Sequence, residues 1–234
     1  MRVTINNDKT NAEINRVQSV VSCEAVRPYP DRPTEGILTI NSEINSMASL
    51  EFETNRPSEQ EVMISRMLEK IIRVSRAVDT ESLCIDAGEQ VWNVRVDVHF
   101  LSYDGNLVDA AVIAVMTSLR HFRRPDVTKE GTEVTIHDIK ERVPVPLSIH
   151  HTPISITFGH FGDEKMVVDS TLLEEKFQQG SLTIAINTNK EICCVSKAGG
   201  ESITDECIIM CSMIAVEKST EICEKIDAAL KSSP

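Results

Sequence analysis

The stretch SYDGNLVDAAVIAV, Ser102 to Val115, carries the residue types of an anion site. A strand ends, Asp104-Gly105-Asn106 makes a turn, and an apolar helix starts at about Leu107. The start of a helix after a tight turn presents free N–H groups and the positive end of the helix dipole, an arrangement that holds phosphate. Shape alone does not say whether a phosphate binds there. The side chains of the turn, Asp104 to Asp109, decide that.

Other residues have spacings that deserve weighing. Asp97 and His99 share one face of a strand, where an acid could orient a histidine base, but no motif ties a serine or cysteine nucleophile to them. They read as the polar face of a half-buried strand. His150 and His151 are neighbours on an extended segment and point opposite ways, which disfavours a shared metal. Cys207 and Cys211 are one helical turn apart with no second pair at zinc spacing, so they read as core. Cys193 and Cys194 read as one inward and one outward strand residue. Arg66, Lys70 and Arg73 lie on the polar side of a helix, with Arg76 close by and Arg123-Arg124 further on. They could meet phosphates of RNA, although a run of cations is more often a solvated face.

The whole chain narrows the choice. Its 234 residues suffice for a large core, and 41% hydrophobic with 26% charged residues is an ordinary globular composition. Aromatics at 4% argue against base stacking as a main device, and a net charge of −12 is not the footprint of a free-standing nucleic-acid binder. No apolar run approaches the roughly 18 residues of a membrane span. The seven cysteines are irregularly spaced, and the chain opens without a signal peptide. Both point to a reducing compartment, cytosol or nucleus.

The elements that would position these residues follow from periodicity. Val17–Val26 and Ile37–Ile44 read as strands around the proline-rich loop RPYPDRPTEG, Arg27 to Gly36. Pro57 and the box Ser58-Glu59-Gln60-Glu61 start a helix with Ile64, Met67, Leu68, Ile71 and Val78 at helical spacing. A hairpin turns at Ala87-Gly88-Glu89; its second strand alternates Val94, Val96, Val98 and Phe100 with Arg95, Asp97 and His99. The helix from about Leu107 to His121 is apolar nearly all round and so must be buried on most sides. FRRPDVTKEGTE reads as a loop, VTIH, ISITFGHF and MVVD as short strands, and STLLEEKFQQG as a short helix ending at Gly180. LTIAIN and EICCVS form a hairpin about Thr188-Asn189-Lys190. A last helix runs from about Thr204 to Lys231, with Ile208, Cys211, Ala215, Ile222, Ile226 and Ala229 as its stripe. Hairpins mixed with helices, without strict βαβ alternation, indicate an α+β fold.

Four stretches, RPYPDRPTEG, AVDTESLCI, DGNLVDAAVIAVMTSLRHFRRPDV and ERVPVPLSIHHTPI, resemble the exosome ring subunits of the ribonuclease PH-like family, and the likeness runs from about Val17 to Lys231. It implies a ribonuclease PH-like fold with mixed sheets and packed helices, as one domain over 1–234. Within it, 1–16 is a degenerate or truncated start and 204–231 the C-terminal helix. A shortened start would leave an open sheet edge. The likeness also implies a six-subunit ring of related proteins, RNA-binding cap subunits, and a separate hydrolytic nuclease to which RNA is threaded. The work would be 3′-end processing of ribosomal RNA and decay of messenger and other RNAs, in nucleus, nucleolus and cytoplasm, with no cofactor, metal or membrane.

Phosphorolytic members of that family carry a Gly-Gly-Thr-Arg-like run at the turn. Here the matching positions read Gly105-Asn106-Leu107-Val108, followed by Asp109. Two apolar side chains replace the hydroxyl and the guanidinium. Asp109 in the first helical turn suits the dipole and repels phosphate. Of the acidic residues before the LTIAIN strand, Asp169, Glu174 and Glu175 remain, and none is assigned catalysis. The expectation is a catalytically inactive subunit that assembles the ring and guides RNA through Arg66, Lys70, Arg73, Arg76, Arg123 and Arg124. Arg73 and Arg76 match arginines that the family places near its substrate groove. The alternative is an active phosphate-dependent 3′→5′ exoribonuclease.

Overall fold

The computed structural model describes residues 2–4, 15–49, 52, 58–130, 133–138, 141–162 and 165–232. Two sheets lie on either side of one buried helix. The first sheet is built from β1 (Arg2–Thr4), β2 (Arg16–Val26), β3 (Ile37–Ile44), β4 (Cys84–Asp86) and β5 (Gln90–Ser102). Its order is β1-β2-β5-β3, with β4 also on β5. β3 runs parallel to β5 because a helix, α1 (Glu59–Leu68), carries the chain back between them. At the start of the chain Arg2–Thr4 pair antiparallel with Arg16–Gln18, which covers part of the β2 edge. Residues 5–14 and Pro57 lie outside the described residues.

Ser58 caps α1 by accepting from the Glu61 N–H at 3.1 Å. The helix then widens into a π-turn over Glu69–Val74, closed by the Ala77 N–H on the Ile72 carbonyl at 3.1 Å. Widening turns adjacent Ile71 and Ile72 both into the core, where each is fully buried. Arg76 ends the helix in the left-handed region at φ 57°. Val78 is therefore not helical; it bridges to Ile149.

The helix α2 (Leu107–His121) is buried along most of its length, as its composition requires. Val112, Val115, Met116 and Leu119 are fully buried against the first sheet, each contributing about 1.5–3 kcal/mol. The segment expected as a loop after α2 holds β6 (Arg123–Arg124) and β7 (Val127–Glu130). β7 forms a hairpin with β8 (Glu133–Ile136), and β6 pairs with β9 (Val145–Pro146).

The second sheet has β10 (Ile154–His160), β11 (Met166–Val168), β12 (Gly180–Ile186) and β13 (Ile192–Lys197), all antiparallel in the order β11-β10-β12-β13. A short helix, α3 (Leu172–Phe177), precedes β12; it ends at Gln178, and Gly180 already belongs to the strand. The final helix, α4 (Asp205–Ser232), covers the face formed by Ile154, Ile156, Phe158, Leu182, Ile184 and Ile186. Its buried stripe is Cys207, Cys211, Ala215, Ser219, Cys223 and Ile226; Ile208 and Ile222 flank it and Ala229 is exposed. The opposite face of the sheet turns Ser155 and Thr157 toward α2. Among the described residues no helix is long and apolar enough to cross a membrane.

Candidate functional site

The turn at the head of α2 is tightly built. Gly105 takes φ 91°, and a Cβ there would collide with the Ser170 carbonyl oxygen and the Leu172 amide nitrogen. Asn15 clamps the turn from outside: its Oδ1 accepts from the Asp104 N–H at 2.7 Å and its Nδ2 donates to the Gly105 carbonyl at 2.5 Å. From the other side the Leu172 N–H donates to the Asp104 carbonyl at 3.2 Å, so α3 is strapped against the turn.

Asn106 is the hub. It takes φ 47° and ψ 51°, a conformation asparagine tolerates better than most side chains. Its backbone N–H donates to Glu175 Oε1 at 2.7 Å, and the other oxygen of Glu175 accepts from the Tyr103 hydroxyl at 3.0 Å. The Asn106 Nδ2 donates to Asp109 Oδ2 and to Asp169 Oδ1, both at 2.9 Å. One asparagine thus gathers three carboxylates of its own chain.

Asp109 does not face the outside of the turn, as a dipole partner would. It is buried and reaches β10, accepting from Ser155 Oγ at 2.6 Å, Thr157 N–H at 2.7 Å and Thr157 Oγ1 at 3.0 Å. Burial pushes its pKa up to about 6, against the pull of the hydrogen bonds from Ser155, Asn106 and Thr157. Its part is to tie α2 to the second sheet.

Beside the turn lies a cleft of about 290 Å³. Met63, Met67, Leu107 and Leu172 supply apolar walls, and Thr157 and Thr183 supply hydroxyls. Those two hydroxyls lie 3.1 Å apart and bond each other. Leu107 and Val108 also line the cleft, and their side chains offer it no hydrogen-bond donor.

Two family models match the chain: domain 1 of the 3′ exoribonuclease family over residues 11–125, and domain 2 over residues 151–218. The chain belongs to the 3′ exoribonuclease family. It is 50% identical over 216 residues to exosome complex component rrp45 of Schizosaccharomyces pombe, covering 92% of this chain and 74% of that one. The human exosome complex component RRP45 is 47% identical over 217 residues, 92% of this chain and 49% of the relative. The chain therefore spans about half the length of that human relative. A solved chain from the Archaeoglobus fulgidus exosome with RNA bound to the active site superposes with TM-score 0.79 at 26% identity, covering 96% of this chain and 87% of that chain. An archaeal exosome core chain gives TM-score 0.74 at 25% identity, covering 97% and 85%. The ribonuclease PH-like α+β fold expected from the sequence is thereby established.

Within this family member the remaining candidates separate. Asp97 and His99 do not form a dyad: Asp97 accepts from Arg95 Nε at 2.9 Å and Asn41 Nδ2 at 3.0 Å, while His99 Nδ1 lies 3.3 Å from Glu43. Partial burial opposes ionisation of Asp97, but the bonds from Asn41 and Arg95 win and hold its carboxyl below the usual range. His150 lies 3.9 Å from Asp79, and Cys207 and Cys211 sit in the α4 core, where burial pushes the Cys211 thiol to about 11. Among the described residues no group of three or more metal-type side chains could hold an ion.

The six cations are not one stripe. Arg66, Lys70, Arg73 and Arg76 are exposed along α1 and its π-turn, and Arg73 is paired with Glu69 at 2.6 Å. The wider turn rotates Arg73 away from α-helical register with Arg66 and Lys70. Arg123 is engaged elsewhere: its Nη1 donates to the Arg120, His121 and Phe122 carbonyls and closes the C-terminus of α2. Sequence reasoning missed Asn15, Tyr103, Ser155 and Thr157 at the turn, since nothing in their local pattern marks them as partners of residues up to 90 positions away.

Proposed function

We propose that this chain is a non-catalytic subunit of an RNA exosome core ring, which supports 3′-end processing and 3′→5′ decay of RNA by assembling the ring and guiding RNA. The observation that carries the reading is the Asn106 N–H bonded to Glu175: the amide that could receive a phosphate already holds an internal carboxylate. With Leu107 and Val108 beside it, the turn offers neither a cation nor a hydroxyl to an attacking phosphate. The similarity to exosome complex components and the likeness to archaeal exosome chains support the ring.

The two halves act as one unit, because α2 is packed by both sheets. Partners are other ribonuclease PH-like ring subunits, cap subunits, a separate hydrolytic nuclease and RNA, in nucleus, nucleolus and cytoplasm. Arg66, Lys70, Arg73, Arg76, Arg123 and Arg124 are the proposed RNA contacts, with Arg66, Lys70 and Arg76 the least encumbered.

The test is co-expression with the other ring subunits, light scattering on the purified complex, and an assay of phosphate-dependent RNA decay. A ring-sized and phosphorolytically inert complex is expected. Phosphate-dependent decay that disappears on mutating this chain alone would establish the active exoribonuclease instead.

A further inference from the structure

A second surface lies at the other end of α2. β2 ends at Val26 and the chain enters the loop Arg27–Gly36, where Tyr29 stands 62% exposed. Phe52, Trp92, Phe100, Tyr103 and Phe158 are buried, but Phe177 on α3 is 78% exposed, so it is the setting of Tyr29 and not its exposure alone that sets it apart. The loop holding it is rigid. Pro28, Pro30 and Pro33 fix φ, and the Arg32 N–H donates to the Tyr29 carbonyl at 3.0 Å. Gly36 N–H donates to the Thr80 carbonyl at 2.8 Å, and Gly88 N–H to the Pro33 carbonyl at 2.9 Å. The ring is thus presented on a backbone that needs little ordering when a partner arrives.

Charge around Tyr29 is mixed. Arg32 is held by Glu35 at 3.2 Å, and Asp31 and Glu24 are nearby acids in sequence. Arg27 is exposed, and neither it nor Arg124 has an ion-pair partner among the described residues. Arg124 lies close enough to Cys23, near the same end of β2, for its charge to lower the thiol pKa against the larger opposing effect of burial. α2 spans ~22 Å from Leu107 to His121, so this end is remote from the cleft.

We propose that Tyr29, with Arg27, binds an unpaired nucleotide of single-stranded RNA, the base stacking on the tyrosine and a flanking phosphate meeting the arginine. The proposal rests on the RNA-guiding reading above and adds a stacking contact to it. Stacking suits a surface of mixed charge, because every base has a π-face and the affinity does not depend on a strong positive field.

Ultraviolet cross-linking of a single-stranded oligoribonucleotide to the purified ring, followed by mass spectrometry, should mark the peptide carrying Tyr29. In fluorescence anisotropy Tyr29→Ala should weaken binding about tenfold with an unchanged salt slope, Tyr29→Phe should retain binding, and Arg27→Glu should weaken binding and flatten the slope. An assembled ring that binds RNA equally well with Tyr29→Ala overturns the stacking contact and leaves the ring reading intact. Loss of assembly with Tyr29→Ala also overturns it and makes the loop a protein contact. If the chain never enters the ring, the ring reading fails, and the same cross-link and Tyr29→Ala comparison on the isolated chain decides the contact.

Discussion

The Asn106 N–H and the Glu175 carboxylate lie 2.7 Å apart, and this bond closes the amide at the head of α2 to any external anion. Tyr103 holds the second oxygen of Glu175, so the carboxylate is fixed on both sides. Glu175→Ala should lower the unfolding free energy by about 2 kcal/mol, the scale of a hydrogen bond to a charged group. Inorganic phosphate should then raise the melting temperature of the variant and leave that of the parent unchanged. Phosphorolysis is not expected in the variant, since the side chains of Leu107 and Val108 still supply neither a hydroxyl nor a cation. Equal phosphate responses in variant and parent would sink this account of the turn.

Gly105→Ala should be among the costliest single-methyl changes in the chain. The residue combines φ 91° with a backbone, that of Ser170–Leu172, packed where a Cβ would go. A loss of at least about 2 kcal/mol is expected from the conformation and the displaced strap together. Urea unfolding measures it; an unchanged midpoint would mean that α3 moves aside freely and does not strap the turn.

The sequence made the framework legible wherever pattern is local. The alternation Val94-Val96-Val98-Phe100 marked β5, and the continuous apolarity of Leu107–His121 marked a helix buried between layers. What it hid depends on contacts far along the chain or on small changes in helix pitch. Ile71 and Ile72 look like one stripe residue and one flanking residue, and only the π-turn places both inside. Asp109 looks like a dipole partner, yet its acceptors' needs are met by Ser155 and Thr157 on a strand more than 40 positions away. Glu175 looked like one of several leftover acids in a short helix; its register on Asn106 exists only once α3 folds over the turn.

Asp109 makes stability depend on pH. Its folded pKa is about 6, above the ordinary carboxylate value, so the folded state holds a proton that the unfolded chain releases at lower pH. The contribution is full below about pH 4 and is lost as pH rises through about 6, by about 3 kcal/mol in all. Asp109→Asn cannot titrate, so the stability difference between parent and variant should shift in the variant's favour over that window and be flat above it. Paired chemical-unfolding curves at pH 4, 5, 6 and 7 read this out. A constant difference across the series would show that folding does not raise the Asp109 pKa.

Arg76 and Arg73 should behave differently although both are exposed. Arg73 is held by Glu69 in a pair with side chains 58% and 48% exposed, which is worth at most about 1 kcal/mol. Arg73→Glu sets two carboxylates one turn apart, and its effect on RNA binding is mixed with that local repulsion. Arg76 has no such partner among the described ion pairs and ends its helix with a left-handed backbone that glutamate adopts no less easily. Arg76→Glu in the assembled ring should therefore weaken single-stranded RNA binding and reduce the log–log salt slope by about one unit, with the melting temperature unchanged. Affinity and slope both equal to the parent's would remove Arg76 from the RNA path and leave Arg66 and Lys70 as the cations of this face to test.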